Sequence, residues 1–375
     1  MTSAEPDLWS GLQVVFESLA STTELPAVWH YAALLSLLHP DNSLVERMRT
    51  KWTPDLSSQA STDCDEVLSK LLQLAELPLD VKHALSTVKL EEYALLTYVW
   101  RYNSFGHHTD SSALCMYDVT SMMSHSCGAT GVWHFGSEDA FCLRARVSLV
   151  PGDEISISYL ADEDLFKATN VRKEKTQGWL FSCTCVRCEG PSVDFSRGFR
   201  CPTCVVGTVF FSPSGAPHAC STCSSALTSE LLKHYLELEP MYTERLLSIE
   251  KTDQEDVLAV KKEAVNLFSH HWILFALDSM IAESAKTDTS QTHKRLHILI
   301  NRLQFLKSTF PIANYTTAWL LEEIGDIYSQ ISLPAVACEY YEDAYWTMRV
   351  MCGQDHPFTE TIQTKWDDTS ATDPS

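Results

Sequence analysis

The chain has 375 residues, 45% of them hydrophobic, which is enough apolar material for two or three globular domains. Its 49 acidic residues outnumber its 28 basic residues and give a formal net charge of -21, so its long-range field repels nucleic-acid phosphates and anionic lipid heads. No apolar run approaches the roughly 18 residues of a membrane span, and the acidic start resembles neither a signal nor a transit peptide. We therefore expect an intracellular protein, cytoplasmic or nuclear or both, that binds neither nucleic acid nor membranes directly.

The first hundred residues carry the 3.6-residue period of helices. The predicted helices cover residues 8–20, 26–38, 65–77 and 88–102. After residue 103 the pattern changes to short apolar runs separated by turn residues, which predict strands at 132–135, 140–149 and 155–160. A helical rhythm returns at 162–181 and again from about residue 229.

The segment 228–365 predicts about six helices in an antiparallel array of the tetratricopeptide-like kind. The predicted breaks between these helices lie at Pro240, at 286–291, at Pro311, at Pro334 and at Gly353. Residues 366–375 have the composition of a disordered tail. Adjacent residues on a helix or strand point in different directions, so we expect the pair His270–His271 to be exposed and not to bind a metal.

Ten of the 13 cysteines lie between Cys115 and Cys223. In a reducing compartment such clustering indicates metal binding and not a disulfide framework. Two CxxC pairs, Cys201–Cys204 and Cys220–Cys223, are joined by a short loop that predicts a strand pair. Four thiolates at this spacing complete a tetrahedral zinc site with no open position, so the site is structural.

A second group, Cys183-Thr-Cys185-Val-Arg-Cys188, supplies three thiols within six residues. A zinc site needs a fourth ligand from elsewhere in the chain, and the nearest candidates are Cys127, Cys115 and Cys142. Cys127 stands out because it ends the segment Ser-His-Ser-Cys, just before two glycines.

These residues carry a family resemblance. The segments Ser124–Cys127, 144–160 and 180–188 together resemble the second half of a SET methyltransferase domain with its post-SET zinc loop. More narrowly, the chain resembles the SET- and MYND-domain (SMYD) proteins, which are lysine methyltransferases. Asn103-Ser-Phe and Val171-Arg-Lys-Glu-Lys match further family segments, and the part from Ala344 to Pro357 is similar to the end of the family's helical C-terminal domain.

The resemblance implies roles for individual residues. Cys127 would be the fourth ligand beside Cys183, Cys185 and Cys188, giving two structural zinc ions in all. Tyr159 falls on the family tyrosine at the methyl-transfer centre. The positions that would contact S-adenosylmethionine are Asn103, Ser124, His125, Trp179 and Phe181.

The chain departs from the family pattern at several positions. Ser124 replaces an asparagine, Trp179 replaces a second active-site tyrosine, and Gly128-Ala-Thr replaces an Asp-Pro-Asn. No two glycines are separated by one residue, so the Gly-x-Gly turn that opens a SET fold is absent, and so is the MYND zinc module. We expect either that the sequence is a truncated reading of a longer protein or that its lineage lost these strands.

The sequence therefore predicts an α+β protein. The predicted parts are an N-terminal helical segment (1–102), the C-terminal half of a SET core (103–165), a post-SET zinc loop (166–192), a zinc-ribbon module (197–226), a helical tetratricopeptide-like domain (228–365) and a disordered tail (366–375). Two functions follow as hypotheses. One is a SMYD-like lysine methyltransferase that acts on a histone or another protein with lysine-containing basic segments. The alternative is a catalytically inactive, zinc-stabilised scaffold that binds protein partners.

Overall fold

A computed structural model gives the fold of the chain. It describes residues 26–39, 41–55, 58–74, 79–107, 109–110, 113–136, 140–190, 193–249, 254–286 and 288–372. The fold is mixed α/β, about 60% helical, with small sheets. This confirms the predicted mixture of helices and short strands. The chain divides into two compact units, residues 1–123 and 124–375.

The first unit is a small helical body. Its helices are α1 (Ala27–Leu38), α2 (Asn42–Arg49), α3 (Ser58–Gln73), α4 (Leu79–Ser86) and α5 (Leu90–Asn103), followed by the strand pair β1 (Phe105–Gly106) and β2 (Leu114–Cys115). Three of the four predicted helices are present, and the one at 8–20 lies outside the described residues. The core forms around Tyr93, Leu96 and Val99 of α5, which are fully buried.

Two helices of this unit were not predicted, because each has only eight residues, too few for an apolar period to repeat. Asp41 caps the start of helix α2, and its side chain accepts a hydrogen bond from the backbone N–H of Ser43. Such a cap satisfies a backbone donor that the first helical turn leaves unpaired. Helix α4 has only eight residues.

The second unit opens with an antiparallel pair, β3 (Gly131–Phe135) and β4 (Phe141–Ala145). The predicted strand at 155–160 was wrong in extent, because only Ile157 pairs there, in a parallel bridge with His125. Both hydrogen bonds of this bridge use Ile157: its N–H donates to the Ser124 carbonyl and its carbonyl accepts from Ser126. The bridge joins the Ser-His-Ser-Cys segment to the segment that ends at Tyr159. Three short helical segments follow: α6 (Asp162–Leu165), α7 (Thr169–Thr176) and the 3-10 turn Gln177–Trp179.

After helix α8 (Val186–Glu189), a three-stranded sheet follows with the order β6-β5-β7. Its strands are β5 (Asp194–Arg200), β6 (Thr208–Phe211) and β7 (Phe268–His271). Strand β5 leads directly into Cys201, so the sheet fixes the start of the second cysteine group. Gly198 permits the close approach of β7, because a Cβ at this position would lie 2.6 Å from the carbonyl oxygen of His270.

Seven α-helices complete the described part of the second unit. They are α9 (Ser229–Ser248), α10 (Gln254–Leu267), α11 (Trp272–Ser284), α12 (Thr292–Thr309), α13 (Tyr315–Gln330), α14 (Pro334–Cys352) and α15 (Pro357–Thr372). Four of the five predicted breaks separate helices, but the break at Pro240 was wrong, because Pro240 lies inside α9. Proline has no N–H, so the carbonyl of Leu236, four residues earlier, lacks its helical hydrogen bond. Leu236 is 40% exposed, so water can bond to that carbonyl instead.

The end of the chain also differs from the prediction. Helix α15 continues to Thr372, where the composition predicted a disordered tail from residue 366. The ring of Trp366 packs at 5.5 Å from Tyr345, and Thr369 is buried. Tertiary contacts, including a hydrogen bond between Cys338 and Ser370, therefore hold a segment whose polar composition alone is typical of disorder. Across the described residues, no helix is both long and apolar enough to cross a membrane.

Candidate metal centres and an adjoining aromatic cluster

The structure brings the cysteines of the sequence motifs into two groups of four. The first group is Cys127, Cys183, Cys185 and Cys188, and the second is Cys201, Cys204, Cys220 and Cys223. Within each group all four sulfur atoms lie within 4.8 Å of one another. Each group could therefore hold a metal ion.

The sulfur separations fit a tetrahedral zinc ion. With a Zn–S bond of about 2.3 Å, two thiolates of a tetrahedron lie about 3.8 Å apart. In the first group Cys127 Sγ lies 3.9 Å from Cys183 Sγ and 3.6 Å from Cys188 Sγ. A disulfide would need a separation of about 2.05 Å, so these pairs are not disulfides.

The second group shows the same spacing. Its sulfur atoms are 3.7 Å apart in the pair Cys201–Cys223 and 3.7 Å apart in the pair Cys204–Cys220. The backbone N–H of Gly207 donates to Cys204 Sγ at 3.3 Å, and the N–H of Thr222 donates to Cys220 Sγ at 3.4 Å. Donors of this kind stabilise the thiolate form that metal binding requires.

Gly207 is required for this geometry. A Cβ at this position would lie 2.3 Å from Cys220 Sγ, closer than any real contact. The turn therefore brings its backbone against the ligand sulfur only because residue 207 has no side chain.

Two arginines flank the first group, and sequence reasoning missed both. Four thiolates around Zn²⁺ carry a net charge of -2, which is costly to bury without compensating cations. Arg172 is 1% exposed, and its Nη2 lies 3.8 Å from Cys188 Sγ. Arg187 donates from Nη1 to the carbonyl of Cys127 and from Nη2 to the carbonyl of Leu165.

Neighbouring groups stabilise the charged form of Arg172. Burial alone would lower its pKa, but Asp194 and the neighbouring thiols offset that effect, and the net pKa is raised. Asp194 accepts hydrogen bonds from the backbone N–H groups of Thr169 and Ser196. In the sequence Arg172 belonged to a basic stretch that is usually solvated, so only the fold reveals its burial.

His125 connects the first cysteine group to a cluster of aromatic rings. Its Nδ1 accepts a hydrogen bond of 3.0 Å from the backbone N–H of Tyr159. A neutral imidazole has a single N–H, so the proton must lie on Nε2, which is 3.4 Å from Cys127 Sγ. His125 therefore donates to the predicted ligand sulfur and holds the Tyr159 backbone through its other nitrogen.

Four rings meet at this point: His125, Tyr159, Trp179 and Phe181. Ring centroids are 5.4 Å apart for His125–Tyr159, 5.8 Å for His125–Phe181, 5.7 Å for Tyr159–Trp179 and 6.2 Å for Tyr159–Phe181. Each ring is half-buried. We call these four residues the aromatic cluster. Burial raises the pKa of Tyr159, so its hydroxyl stays protonated near neutral pH.

Several sequence segments build this cluster. Leu180, between Trp179 and Phe181, has a left-handed backbone with φ of 61°. This conformation ends the 3-10 turn and changes the chain direction between the two rings. Phe181 stands two residues before Cys183, so a metal at the first group would also hold the cluster in place.

The other two predicted cofactor contacts, Ser124 and Asn103, have hydrogen-bond partners outside the cluster. Ser124 is exposed, and its hydroxyl donates to Glu154. Asn103 belongs to the first unit, where it is buried and its Nδ2 donates to the carbonyls of Trp52 and Val99. The structure thus brings together three of the five predicted cofactor contacts and the predicted catalytic tyrosine.

The pair His270–His271 was predicted to be exposed, and for His271 this was wrong. His271 is 1% exposed, and its Nδ1 accepts from the backbone N–H of Ile273. Its Nε2 therefore carries the proton and donates to Glu239, which Arg197 also contacts. Burial opposes ionisation of Glu239, but His271 and Arg197 together lower its pKa to about 2. This buried network joins β5, β7 and α9.

No protein-family model matches the chain, and no curated protein matches it either.

Proposed function

We propose that the chain is a SET-type protein-lysine N-methyltransferase that binds two structural zinc ions. It would transfer a methyl group from S-adenosylmethionine to a lysine side chain, in a histone or another protein with basic lysine-containing segments. The single observation that carries this proposal is the aromatic cluster. Beside a four-cysteine group it contains Tyr159, which the resemblance assigned to methyl transfer, and three of the residues that the resemblance assigned to cofactor contact.

The chemistry of the cluster suits this reaction. S-adenosylmethionine would supply an electrophilic methyl group on a positively charged sulfur. The rings of Tyr159, Trp179 and Phe181 can hold a sulfonium or an ammonium by cation–π attraction. The neutral hydroxyl of Tyr159 can orient an amine for approach opposite the sulfur.

The lysine must be neutral to act as a nucleophile. Burial of an ammonium against aromatic rings disfavours the charged form and lowers the lysine pKa. Loss of the ammonium proton to water would leave a nitrogen lone pair, which would form the N–C bond while the C–S bond breaks and its electron pair leaves with the sulfur of S-adenosylhomocysteine. The proposed zinc ions take no part in this step, because four thiolates leave no coordination position open.

The proposal is tested by methyl transfer from isotope-labelled S-adenosylmethionine to a library of basic, lysine-containing peptides, with mass spectrometry of the products. We expect lysine methylation that falls at least about 100-fold in Tyr159→Phe, a magnitude typical of a group that orients a reacting atom. Tyr328→Phe, an aromatic change on α13, is the matched control. Transfer unchanged in Tyr159→Phe would contradict the assigned role of Tyr159.

A catalytically inactive protein-binding scaffold is the second candidate, and the position of Asn103 favours it. Its amide donates to two backbone carbonyls within the first unit, so the predicted cofactor contact already has other partners. Binding of two zinc ions by a folded chain that methylates no peptide would support the scaffold.

A further inference from the structure

A cavity of about 310 Å³ lies among β7 and the helices α10, α11 and α12. Its volume falls at the lower end of the range found for small-molecule sites. None of its lining residues belongs to the cysteine groups or to the aromatic cluster. The methyltransferase hypothesis therefore makes no use of it.

The charge of this cavity is opposite to that of the chain. Arg200, Lys261 and Arg302 line it, against the single carboxylate of Asp278. Three cations and one anion leave two positive charges in excess, in a protein whose net charge is -21. A cleft of one sign between low-dielectric walls focuses the field on a ligand of the opposite sign.

Arg302 has hydrogen-bonding capacity that the protein does not use. Its Nε is buried without an acceptor among the described residues. Its guanidinium carbon lies 5.0 Å from the ring centroid of Phe275, so the ring holds the group in place without accepting a conventional hydrogen bond. Arg302 differs from the other arginines with a buried, unpaired Nε because it lines the cavity, and no hydrogen bond joins its guanidinium to another described residue, so its Nη atoms are the donors available to a ligand oxygen.

Hydrogen bonds and an ion pair hold the other two cations of the cavity, Arg200 and Lys261. Arg200 donates from Nε to the carbonyl of Val265 at 2.8 Å and from Nη1 to the carbonyl of Val205 at 2.9 Å. Lys261 forms an ion pair with Asp278. Backbone anchors of this kind fix the guanidinium of Arg200 before a ligand arrives, which lowers the entropy cost of binding.

One wall of the cavity is apolar. The rings of Phe275 and Phe305 stack with centroids 5.0 Å apart and an interplanar angle of 26°. The two residues are 9% and 7% exposed, so a small part of each ring faces the cavity beside the cations. The wall therefore favours a ligand with a flat apolar part next to its anionic group.

We propose that this cavity binds a small molecule that carries a phosphate group on an aromatic or similarly apolar body, with Arg302 and Arg200 contacting the phosphate. Guanidinium groups suit this role because their planar donors match the oxygens of a phosphate. The excess of two positive charges matches the two negative charges of a phosphate monoester.

The proposal is tested by calorimetric titration of phenyl phosphate, inorganic phosphate and phenol into the full chain. We expect saturable binding of phenyl phosphate, weaker binding of inorganic phosphate and no binding of phenol. Arg302→Gln should weaken phenyl phosphate binding about tenfold or more, the effect of losing a hydrogen bond to a charged group. Arg245→Gln, which removes the same charge from an exposed ion pair between α9 and α10, should leave it unchanged.

A second variant covers the case in which Arg302→Gln fails to fold. Asn301 lines the cavity, and its side-chain amide lies 3.3 Å from Nε2 of His297 on the same helix. Asn301→Asp adds a negative charge, so it should weaken phenyl phosphate binding while leaving the circular dichroism spectrum unchanged. No saturable binding by the folded wild-type chain at millimolar ligand would overturn the proposal, as would equal affinity in Asn301→Asp.

Discussion

The Nε2 of His125 lies 3.4 Å from the Sγ of Cys127, and its proton points to that sulfur because Nδ1 already accepts from the Tyr159 backbone. This contact connects a four-cysteine group to the aromatic cluster through one imidazole. Groups that hydrogen-bond to a metal ligand orient it and tune the affinity of the site. The first cysteine group and the aromatic cluster, which separate sequence motifs indicated, are thus in direct contact.

Replacing His125 tests this connection. His125→Phe keeps an aromatic ring in the cluster and removes both hydrogen bonds, so we expect zinc affinity at the first group to fall about 10- to 100-fold. The measurement is competition with a chromophoric chelator. His234→Phe, at an exposed position on α9, is the control and should release zinc as wild type does. Identical release by His125→Phe would show that the contact does not support the metal.

The identity of the fourth ligand is tested by counting metal. Cys127→Ser should lower the zinc content from about two ions per chain to about one, because three thiols no longer complete a tetrahedron. Cys142→Ser changes another candidate that the sequence left open, and it should retain about two ions. Elemental analysis of the purified chains gives the count, and two ions in Cys127→Ser would rule out the assigned set.

The buried cation beside the first group is tested by Arg172→Met. Removal of a buried charge that compensates other charges typically costs about 3–5 kcal/mol, so we expect a loss of that order in the free energy of unfolding. Lys173→Met is the matched control, since Lys173 forms an ion pair with the largely exposed Glu189. Exposed pairs contribute about 1 kcal/mol or less. Guanidinium titration of zinc-saturated protein measures the free energy of unfolding of both variants. Equal losses would contradict the inference that Arg172 compensates the charge of the first cysteine group.

The pH dependence of stability is tested at His270. Burial lowers the pKa of His270 to about 4, from an ordinary value of 6.5. Between these values the unfolded chain binds a proton that the folded chain does not, so stability falls as pH decreases from 6.5 to 4. The contribution of this residue is at most about 3 kcal/mol across that window.

His270→Gln removes this titration while a side-chain amide can still reach the hydroxyls of Ser308 and Thr309. Urea unfolding at a series of pH values gives the free energy of unfolding. Between pH 6.5 and 4 this free energy should depend less steeply on pH in His270→Gln than in wild type. His234→Gln serves as the control. A pH dependence in His270→Gln as steep as that of wild type would contradict the lowered pKa of His270.

Local spacing predicted the cysteine sites well and predicted their surroundings poorly. Two CxxC pairs and a CxCxxC run place thiols within reach of one ion whatever the rest of the chain does. Cys127 lies far from Cys183 in sequence, so spacing alone left three candidates open, and the family resemblance pointed to the one that the fold brings close. Arg172 and His271 gave no such signal, because burial of a charged or polar residue depends on distant segments that cover it.

The helices show the same limit of prediction from local sequence. An apolar period predicted α1, α3 and α5, because each buries one face against the others. Helix α9 runs through Pro240 because an exposed carbonyl can hydrogen-bond to water, a compensation that the sequence pattern does not show. The end of α15 makes tertiary contacts, such as those of Trp366 with Tyr345 and Ser370 with Cys338, which no local rule predicts.

The most direct test of the proposed function is calorimetric titration of S-adenosylmethionine into the full chain loaded with zinc, alongside Trp179→Ala and Trp346→Ala. The account predicts saturable binding by wild type, strong weakening in Trp179→Ala, and no change in Trp346→Ala, whose tryptophan is exposed on α14. The absence of saturable binding at millimolar S-adenosylmethionine, from folded protein that holds about two zinc ions as the two cysteine groups require, would contradict it.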